Sequence, residues 1–132
     1  MLADVEAEAR REAVSSIEDG GGTAAFTETD VTNLDRTEAL AEATAERFGD
    51  IDVLVDNAGI TREATLKKMS EEAFDRVVDV NLKGMFNTTK AARPHLVKSD
   101  AGRILNAASI MGRYGNFGQM NYVATKHLAS SG

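Results

Sequence analysis

Cysteine and tryptophan are absent from the 132-residue chain, and proline occurs only once. The lack of cysteine excludes a disulfide framework and thiol chemistry and is typical of a reducing compartment, so we expect a cytoplasmic protein. No apolar run has the length of a membrane span, and no histidine and carboxylate residues have metal-ligand spacing, so we expect neither a membrane partner nor a metal site. A formal net charge of -6 argues against a nucleic-acid partner.

The pattern that is present is typical of one domain, residues 1–132, in which strands alternate with helices. This alternation predicts an α/β fold with a parallel sheet covered by helices on both faces, and ligands bind beyond the carboxyl ends of such strands. Thr32 with Asp35 is predicted to cap the second helix, and Ser70 the third. The predicted strands are residues 1–5, 24–29, 51–55 and 103–107, and the predicted helices are residues 5–19, 32–48, 70–96 and a stretch that holds Tyr122 and Lys126.

Tyr122 and Lys126 are four residues apart, which places both side chains on one face of a helix. A nearby ammonium stabilises the phenolate form of tyrosine, and a tyrosine tuned in this way can exchange a proton with a substrate at neutral pH. As an isolated match, however, this spacing more often marks a surface tyrosine beside a solvated lysine.

Three further polar features lie where such chemistry would need them. Ser109 follows the strand predicted at residues 103–107, thirteen residues before Tyr122, and Asn81 interrupts an otherwise apolar helical stripe. Residues 57–59, Asn-Ala-Gly, follow another predicted strand. Each has a plainer alternative: Ser109 could cap a helix, Asn81 could be a satisfied buried amide, and residues 57–59 could form an ordinary turn.

Taken in this order, these residues resemble the short-chain dehydrogenase/reductase family over residues 4–126. Residues 57–62 and 115–122 are similar to the branch that contains 3-oxoacyl-[acyl-carrier-protein] reductases and acetoacetyl-CoA reductases. The resemblance implies a Rossmann-like, doubly wound parallel sheet with helices on both faces, here incomplete. It also implies a nicotinamide-dependent oxidoreductase that reduces a carbonyl, such as that of a 3-oxoacyl thioester, to a secondary alcohol.

The family's functional roles extend to matching residues of this chain. The resemblance implies that Tyr122 is the general acid, that Lys126 also bonds the nicotinamide ribose, and that Ser109 holds the substrate carbonyl oxygen. In the family, the residue matching Asn81 distorts its helix and anchors a water in a proton relay. The implied cofactor-binding residues are Asp4, Asp30, Val31, Asn57, Ala58, Gly59, Tyr122 and Lys126.

The implied cofactor is NAD or NADP. Asp4 would accept a hydrogen bond from the ribose 2′-hydroxyl, and because a carboxylate repels a 2′-phosphate, Asp4 favours NAD. The acyl-carrier-protein reductases mostly use NADPH. Asp56 departs from the family pattern, which has Asn before residues 57–59, and the hydrogen bonding of this position is open.

Two features of the family pattern are not found in this sequence. There is no glycine-rich turn of the kind that cradles a pyrophosphate, and the resemblance implies a further strand between the first and third strands of the chain. We therefore expect a fragment that is inactive by itself; the alternative function is a truncated, non-catalytic chain with a structural or partner-binding role. For the whole protein, the full-length polypeptide that carries this chain, the resemblance implies a homo-oligomer, a tetramer, with an acyl-thioester or other small-molecule substrate.

Overall fold

The computed structural model describes residues 1–130, in which six α-helices alternate with four short strands. The strands are β1 (Leu2–Asp4), β2 (Phe26–Glu28), β3 (Val53–Asp56) and β4 (Arg103–Asn106). The helices are α1 (Ala7–Asp19), α2 (Leu34–Phe48), α3 (Glu71–Val78), α4 (Gly84–Leu96), α5 (Ile110–Tyr114) and α6 (Met120–Ala129). The predicted order of strands and helices is confirmed except for α5, which lies where the sequence predicts a glycine-punctuated loop, and most boundaries are displaced by one or two residues.

The four strands form two parallel pairs instead of one sheet. β1 pairs with β2, so that Leu2 lies opposite Phe26, and β3 pairs with β4, so that Val53 lies opposite Arg103. Within residues 1–130, β1 and β3 are each hydrogen-bonded to one neighbouring strand. The break between the pairs falls where the family resemblance implies a further strand. The α/β fold with parallel strands is therefore confirmed, and it is consistent with an incomplete Rossmann-like fold.

Short polar side chains begin the helices, as helix capping requires. Ser70 Oγ accepts a backbone N–H at 3.1 Å and begins α3, as predicted. The prediction that Thr32 and Asp35 cap α2 is wrong, because Asn33 Oδ1 accepts the capping N–H at 3.2 Å instead. Thr32 is held one residue earlier in a turn, where Asp30 Oδ1 accepts from both its amide and its hydroxyl.

The core lies between α2, α4 and one face of the β3–β4 pair. Its buried residues are Ala41, Ile51, Ala91, Ala92 and Leu96, and Leu54 packs against them. Successive side chains of a strand point to opposite faces, so Val53 and Val55 lie on the other face of β3. They are 52% and 60% exposed, respectively. In the described part of the chain, α4 therefore covers one face of β3–β4 and the other is open.

The helix predicted over residues 70–96 is continuous but changes its geometry in the middle. Asp79–Lys83 forms a π-helical turn, in which the Gly84 N–H donates to the carbonyl of Asp79. Asn81 lies at the centre of this turn. The helix is therefore distorted at Asn81, as the family resemblance implies. A Cβ at Gly84 would lie 2.7 Å from Val31 Cγ2, so glycine here permits α4 to approach the turn after β2.

The two helices that follow β4 are in close contact at a glycine. Gly112 of α5 is buried, and a Cβ there would lie 2.7 Å from the carbonyl carbon of Lys126 and 2.8 Å from the backbone nitrogen of His127. Both atoms belong to the backbone of α6, so they cannot rotate away. Any side chain at position 112 would push α6, and Lys126 with it, out of place.

We expect Gly112→Ala to lower the free energy of unfolding of the whole protein by about 1–3 kcal/mol, the usual cost of overpacking a core. Gly20→Ala is the matched control, because a Cβ there would lie 3.4 Å from its nearest neighbour, which is ordinary contact. Urea unfolding followed by circular dichroism measures both variants. Equal effects of the two substitutions would contradict the close contact between α5 and α6.

Candidate active site

Tyr122 and Lys126 of α6 both line one cavity of about 300 Å³. Lys126 is 7% exposed, and its Nζ donates a 2.5 Å hydrogen bond to the carbonyl of Ala107, directly after β4. The same Nζ lies 5.9 Å from the centroid of the Tyr122 ring. Within residues 1–130 the Tyr122 hydroxyl has no hydrogen-bond partner, so it is available to a ligand. The other residues that line the cavity are Asn57, Gly59, Ile60, Thr61, Ala107 and Ala108.

The buried side chain of Asn81 uses both ends of its amide. Its Oδ1 accepts from the Ile60 N–H at 2.8 Å, and its Nδ2 donates to the Ile60 carbonyl at 3.0 Å and to Thr125 Oγ1 at 3.2 Å. Thr125 Oγ1 in turn donates to the carbonyl of Tyr122 at 2.8 Å. These are the contacts of a satisfied buried amide, and they connect the loop after β3 to the turn of α6 that holds Tyr122.

Asn121 is a candidate residue that the sequence patterns do not single out. It is completely buried, its Oδ1 accepts from the Tyr122 N–H at 2.8 Å, and its Nδ2 donates to the carbonyls of Arg62 at 3.1 Å and Ala73 at 3.3 Å. Asn121 therefore holds the start of α6 against the loop at Arg62 and against α3, which positions Tyr122. No capping signal indicates this role in the sequence, because Asn121 lies inside α6, two residues after Gln119 at the N-cap.

Ser109 follows β4, as predicted, and caps α5. Its Oγ accepts from the Met111 N–H at 3.2 Å, so Ser109 has the helix-capping role that the sequence analysis gives as its plainer alternative. A hydroxyl that accepts one hydrogen bond keeps its own proton to donate, so this contact leaves Ser109 able to bind an oxygen of a ligand. Ser109 is adjacent to Ala108, which lines the Tyr122 cavity, but is not itself among the lining residues.

Hydrogen bonds join two loops beside the cavity. Gln119 Nε2 donates to Glu63 Oε1, and Gln119 Oε1 accepts from Asn116 Nδ2 at 2.8 Å. The Ala64 N–H donates to the carbonyl of Gly118 at 2.9 Å. These bonds join the loop after β3 to the loop before α6.

Residues 57–59 follow β3 and lie next to Lys126. Asn57 and Gly59 line the Tyr122 cavity, and Ala58 lines a smaller neighbouring cavity together with Lys126. A Cβ at Gly59 would lie 3.6 Å from Lys126 Nζ. The structure therefore brings this predicted segment together with the predicted lysine.

Asp30 and Val31 follow β2 and lie farther from Tyr122. Val31 lines the same smaller cavity as Ala58, and its carbonyl accepts from Asn87 Nδ2 at 2.9 Å. Asp30 is exposed, and hydrogen bonds from the backbone N–H and the hydroxyl of Thr32 lower the pKa of its carboxyl. Asp30 is not among the residues that line the Tyr122 cavity.

Asp4 is the last residue of β1, also outside the Tyr122 cavity, and it is paired with Arg10. Its Oδ2 accepts from Arg10 Nε at 2.7 Å, and its Oδ1 accepts from the Glu6 N–H at 3.1 Å. Burial by itself would raise the pKa of Asp4, but the hydrogen bonds from Arg10 and Glu6 and the charge of Arg10 outweigh it, and the pKa is lowered. Asp4 is therefore ionised at neutral pH and able to accept further hydrogen bonds.

Asp56, which stands where the family pattern has asparagine, connects β3 to α4. Its Oδ1 accepts from Thr88 Oγ1 at 2.5 Å, and its Oδ2 accepts from Thr89 Oγ1 at 3.3 Å. Burial raises the pKa of the Asp56 carboxyl, and the two hydroxyl hydrogen bonds do not fully offset this. The sequence does not show what the Asp56 carboxylate binds; in the structure its partners are two hydroxyls of α4.

Two other kinds of site are not found in the part of the chain that the structure describes. No three histidine, cysteine or carboxylate residues among residues 1–130 are grouped to hold a metal ion. None of the helices in this range is both long enough and apolar enough to cross a membrane.

Comparison with known proteins gives one consistent family. The family model described as short chain dehydrogenase matches residues 1–131. The chain is 49% identical over 96 residues to the 3-oxoacyl-[acyl-carrier-protein] reductase FabG of Thermotoga maritima. The aligned residues are 73% of this chain and 39% of that protein. The chain is also 43% identical over 113 residues to the 3-oxoacyl-[acyl-carrier-protein] reductase of Synechocystis sp.. Here the aligned residues are 86% of this chain and 46% of that protein.

A third relative covers more of the chain. It is an uncharacterized oxidoreductase of Mycobacterium bovis, 42% identical over 126 residues, which are 96% of this chain and 51% of that protein. The chain therefore spans about half, or less, of the length of the curated relatives it matches.

We expect the pH dependence of stability to report on Asp56. Because its pKa is raised in the folded state, the folded protein holds this proton more tightly than the unfolded chain does. The stability it contributes is present below the ordinary carboxyl pKa and is lost as the pH rises through the raised pKa. Asp56→Asn keeps the shape but cannot titrate, so the variant should lose less stability over this pH range.

Urea unfolding of the whole protein at a series of pH values measures this difference. Asp100→Asn is the control, since Asp100 is exposed in a turn. A pH dependence that is the same for Asp56→Asn and for the wild type would show that Asp56 has an ordinary carboxyl pKa.

Proposed function

Because the chain belongs to the short-chain dehydrogenase family, we propose that the whole protein is a nicotinamide-dependent oxidoreductase that reduces a carbonyl to a secondary alcohol. The observation that carries this proposal is the presence of Tyr122, with an available hydroxyl, and buried Lys126 at one cavity. The proposed substrate is a 3-oxoacyl thioester. Relatives named 3-oxoacyl-[acyl-carrier-protein] reductase support this substrate class and favour an enzyme over the non-catalytic alternative.

The proposed chemistry divides between the cofactor and three side chains. A bound nicotinamide dinucleotide would supply the hydride to the carbonyl carbon. Tyr122 donates a proton to the carbonyl oxygen as negative charge develops there. The buried ammonium of Lys126 stabilises the phenolate that Tyr122 becomes, since opposite charges attract strongly where water is excluded. Ser109 donates a hydrogen bond to the same carbonyl oxygen and so stabilises its charge.

The described residues fit the two ends of a dinucleotide, NAD or NADP. At the nicotinamide end, Lys126 lines the same cavity as Tyr122, and we assign it to the nicotinamide ribose. We assign residues 57–59 to the backbone beneath the adenosine half. At the adenosine end we assign Asp30 and Val31 to the adenine and Asp4 to the ribose. None of the four strands among residues 1–130 leads through a glycine-rich turn directly into a helix, so we assign the pyrophosphate contact to the remainder of the whole protein.

We expect Tyr122→Phe to lower kcat of the whole protein by at least about a hundredfold, because general acid catalysis contributes that much or more. The Kd for NADH should change far less than kcat, since the main ribose contact is assigned to Lys126. Oxidation of NADH in the presence of acetoacetyl-CoA measures turnover, and NADH fluorescence measures binding. Tyr114→Phe is the matched control, because Tyr114 is 73% exposed. If Tyr122→Phe keeps most of the wild-type rate, Tyr122 is not the acid.

We propose further that the whole protein is a homo-oligomer, a tetramer, assembled in part through α4. Phe86 of α4 is 60% exposed and Val97, directly after this helix, is 65% exposed. Eleven residues are about three helical turns, so the two side chains lie on the same side of the helix. Large exposed apolar side chains on one helix face are typical of a surface that is buried on association.

Light scattering of the whole protein at micromolar concentration should give the mass of four chains. Phe86→Arg should give a smaller species, because a charge would be buried in the interface. Phe117→Arg is the control; Phe117 is 88% exposed but lies in the loop before α6 and not on α4. A monomeric wild-type protein would contradict the proposal.

A further inference from the structure

Three successive residues of the loop after β3, residues 62–64, are hydrogen-bonded to the start of α6. Their bonds run from Asn121 Nδ2 to the Arg62 carbonyl at 3.1 Å, from Gln119 Nε2 to Glu63 Oε1, and from the Ala64 N–H to the Gly118 carbonyl at 2.9 Å. The cavity-lining residues Ile60 and Thr61 come just before this junction, and Tyr122 comes just after it. The junction therefore connects one part of the cavity lining to the tyrosine.

The bond between Glu63 and Gln119 joins two side chains of this junction. Gln119 is only 9% exposed, so its amide must find partners inside the protein. Its Oε1 accepts from Asn116 Nδ2 at 2.8 Å, and its Nε2 donates to Glu63 Oε1. Because a carboxylate can only accept, Glu63 determines which end of the amide faces it. Removal of the Glu63 carboxylate would take this partner from a buried N–H donor.

Gln119 is also the N-cap residue of α6, and its carbonyl accepts from the Val123 N–H at 2.8 Å. Tyr122 belongs to this first turn, three positions after Gln119. Lys126 lies one turn later and is held separately by the carbonyl of Ala107. A displacement of Gln119 should therefore move Tyr122 more than it moves Lys126.

We propose that Glu63 is a positioning residue that acts through Gln119 to hold Tyr122 where its hydroxyl can reach the substrate carbonyl. This inference rests on the proposed function and goes beyond it by assigning a role in the reaction to a residue that does not line the cavity. In this role Glu63 contacts neither the substrate nor the nucleotide. Its contribution is the geometry of a hydrogen bond and not the effect of its charge on Tyr122.

Exchange of the two side chains tests this role in the whole protein. Gln119→Glu alone places two carboxylates against each other, and they repel. This variant should lower kcat for acetoacetyl-CoA by about tenfold or more, because a catalytic group misplaced by about 1 Å can cost up to about a hundredfold. Addition of Glu63→Gln restores a glutamine–glutamate hydrogen bond in the opposite direction, so the double variant should recover most of the lost rate.

Two single variants separate geometry from charge. Glu63→Gln keeps an acceptor for the amide, so it should retain most of the wild-type kcat and the same pH profile of kcat. Glu63→Ala removes the acceptor and should lower kcat. In both variants the Kd for NADH should change far less than kcat, because Lys126 keeps its own hydrogen bond. Glu42→Ala, at an exposed glutamate of α2, is the matched control and should change neither quantity.

The inference is overturned if Glu63→Gln does not restore the rate that Gln119→Glu loses. A shifted pH profile in Glu63→Gln would also overturn it, since Glu63 would then act through its charge. Equal losses of kcat and of NADH affinity in Glu63→Ala would show that the bond serves only the fold. If the wild-type protein neither binds nucleotide nor reduces the thioester, the proposed function is refuted and the inference with it.

Discussion

A buried ammonium is the constraint on which the candidate site depends. Lys126 is 7% exposed, and a charge removed from water is costly unless it is hydrogen-bonded. The carbonyl of Ala107 provides a hydrogen bond at 2.5 Å, and because Ala107 follows β4, this bond fixes α6 at the carboxyl end of the strand. Tyr122 lies one turn earlier on the same helix and is therefore held beside the cavity. The hydrogen bond that the buried Lys126 requires therefore also places Tyr122 beside the cavity.

Buried amides surround this lysine where apolar side chains would be the usual choice. Asn81 joins Ile60 to Thr125, and Asn121 joins the start of α6 to the loop at Arg62. Apolar contacts tolerate some sliding of one element over another, but a buried amide left without a partner costs about 1–3 kcal/mol. The hydrogen bonds therefore specify a single arrangement of loop and helix around the cavity.

The parts of the molecule that could be predicted from the sequence are those determined by residues close together in the chain. Ser70 caps α3 through a backbone N–H three residues later, and Tyr122 and Lys126 share a helix face because they are four residues apart. The contacts that shape the site are different. Asn121 and Arg62 are 59 residues apart, so only the completed fold shows that they meet. Neither residue belongs to a local pattern that would indicate its partner.

The separation of the strands into two pairs has a consequence for how the chain folds. Leu2 pairs with Phe26, 24 positions later, and Val53 pairs with Arg103, 50 positions later. Doubling the length of a connection adds only about 0.6 kcal/mol to the entropy cost of closing it, so both pairs can form early from nearby chain. The two resulting units are joined where α2 packs on α4, through Ala41 and its neighbours. We expect a substitution at Ala41 to disturb the joining of the two pairs more than the strand pairing within either of them.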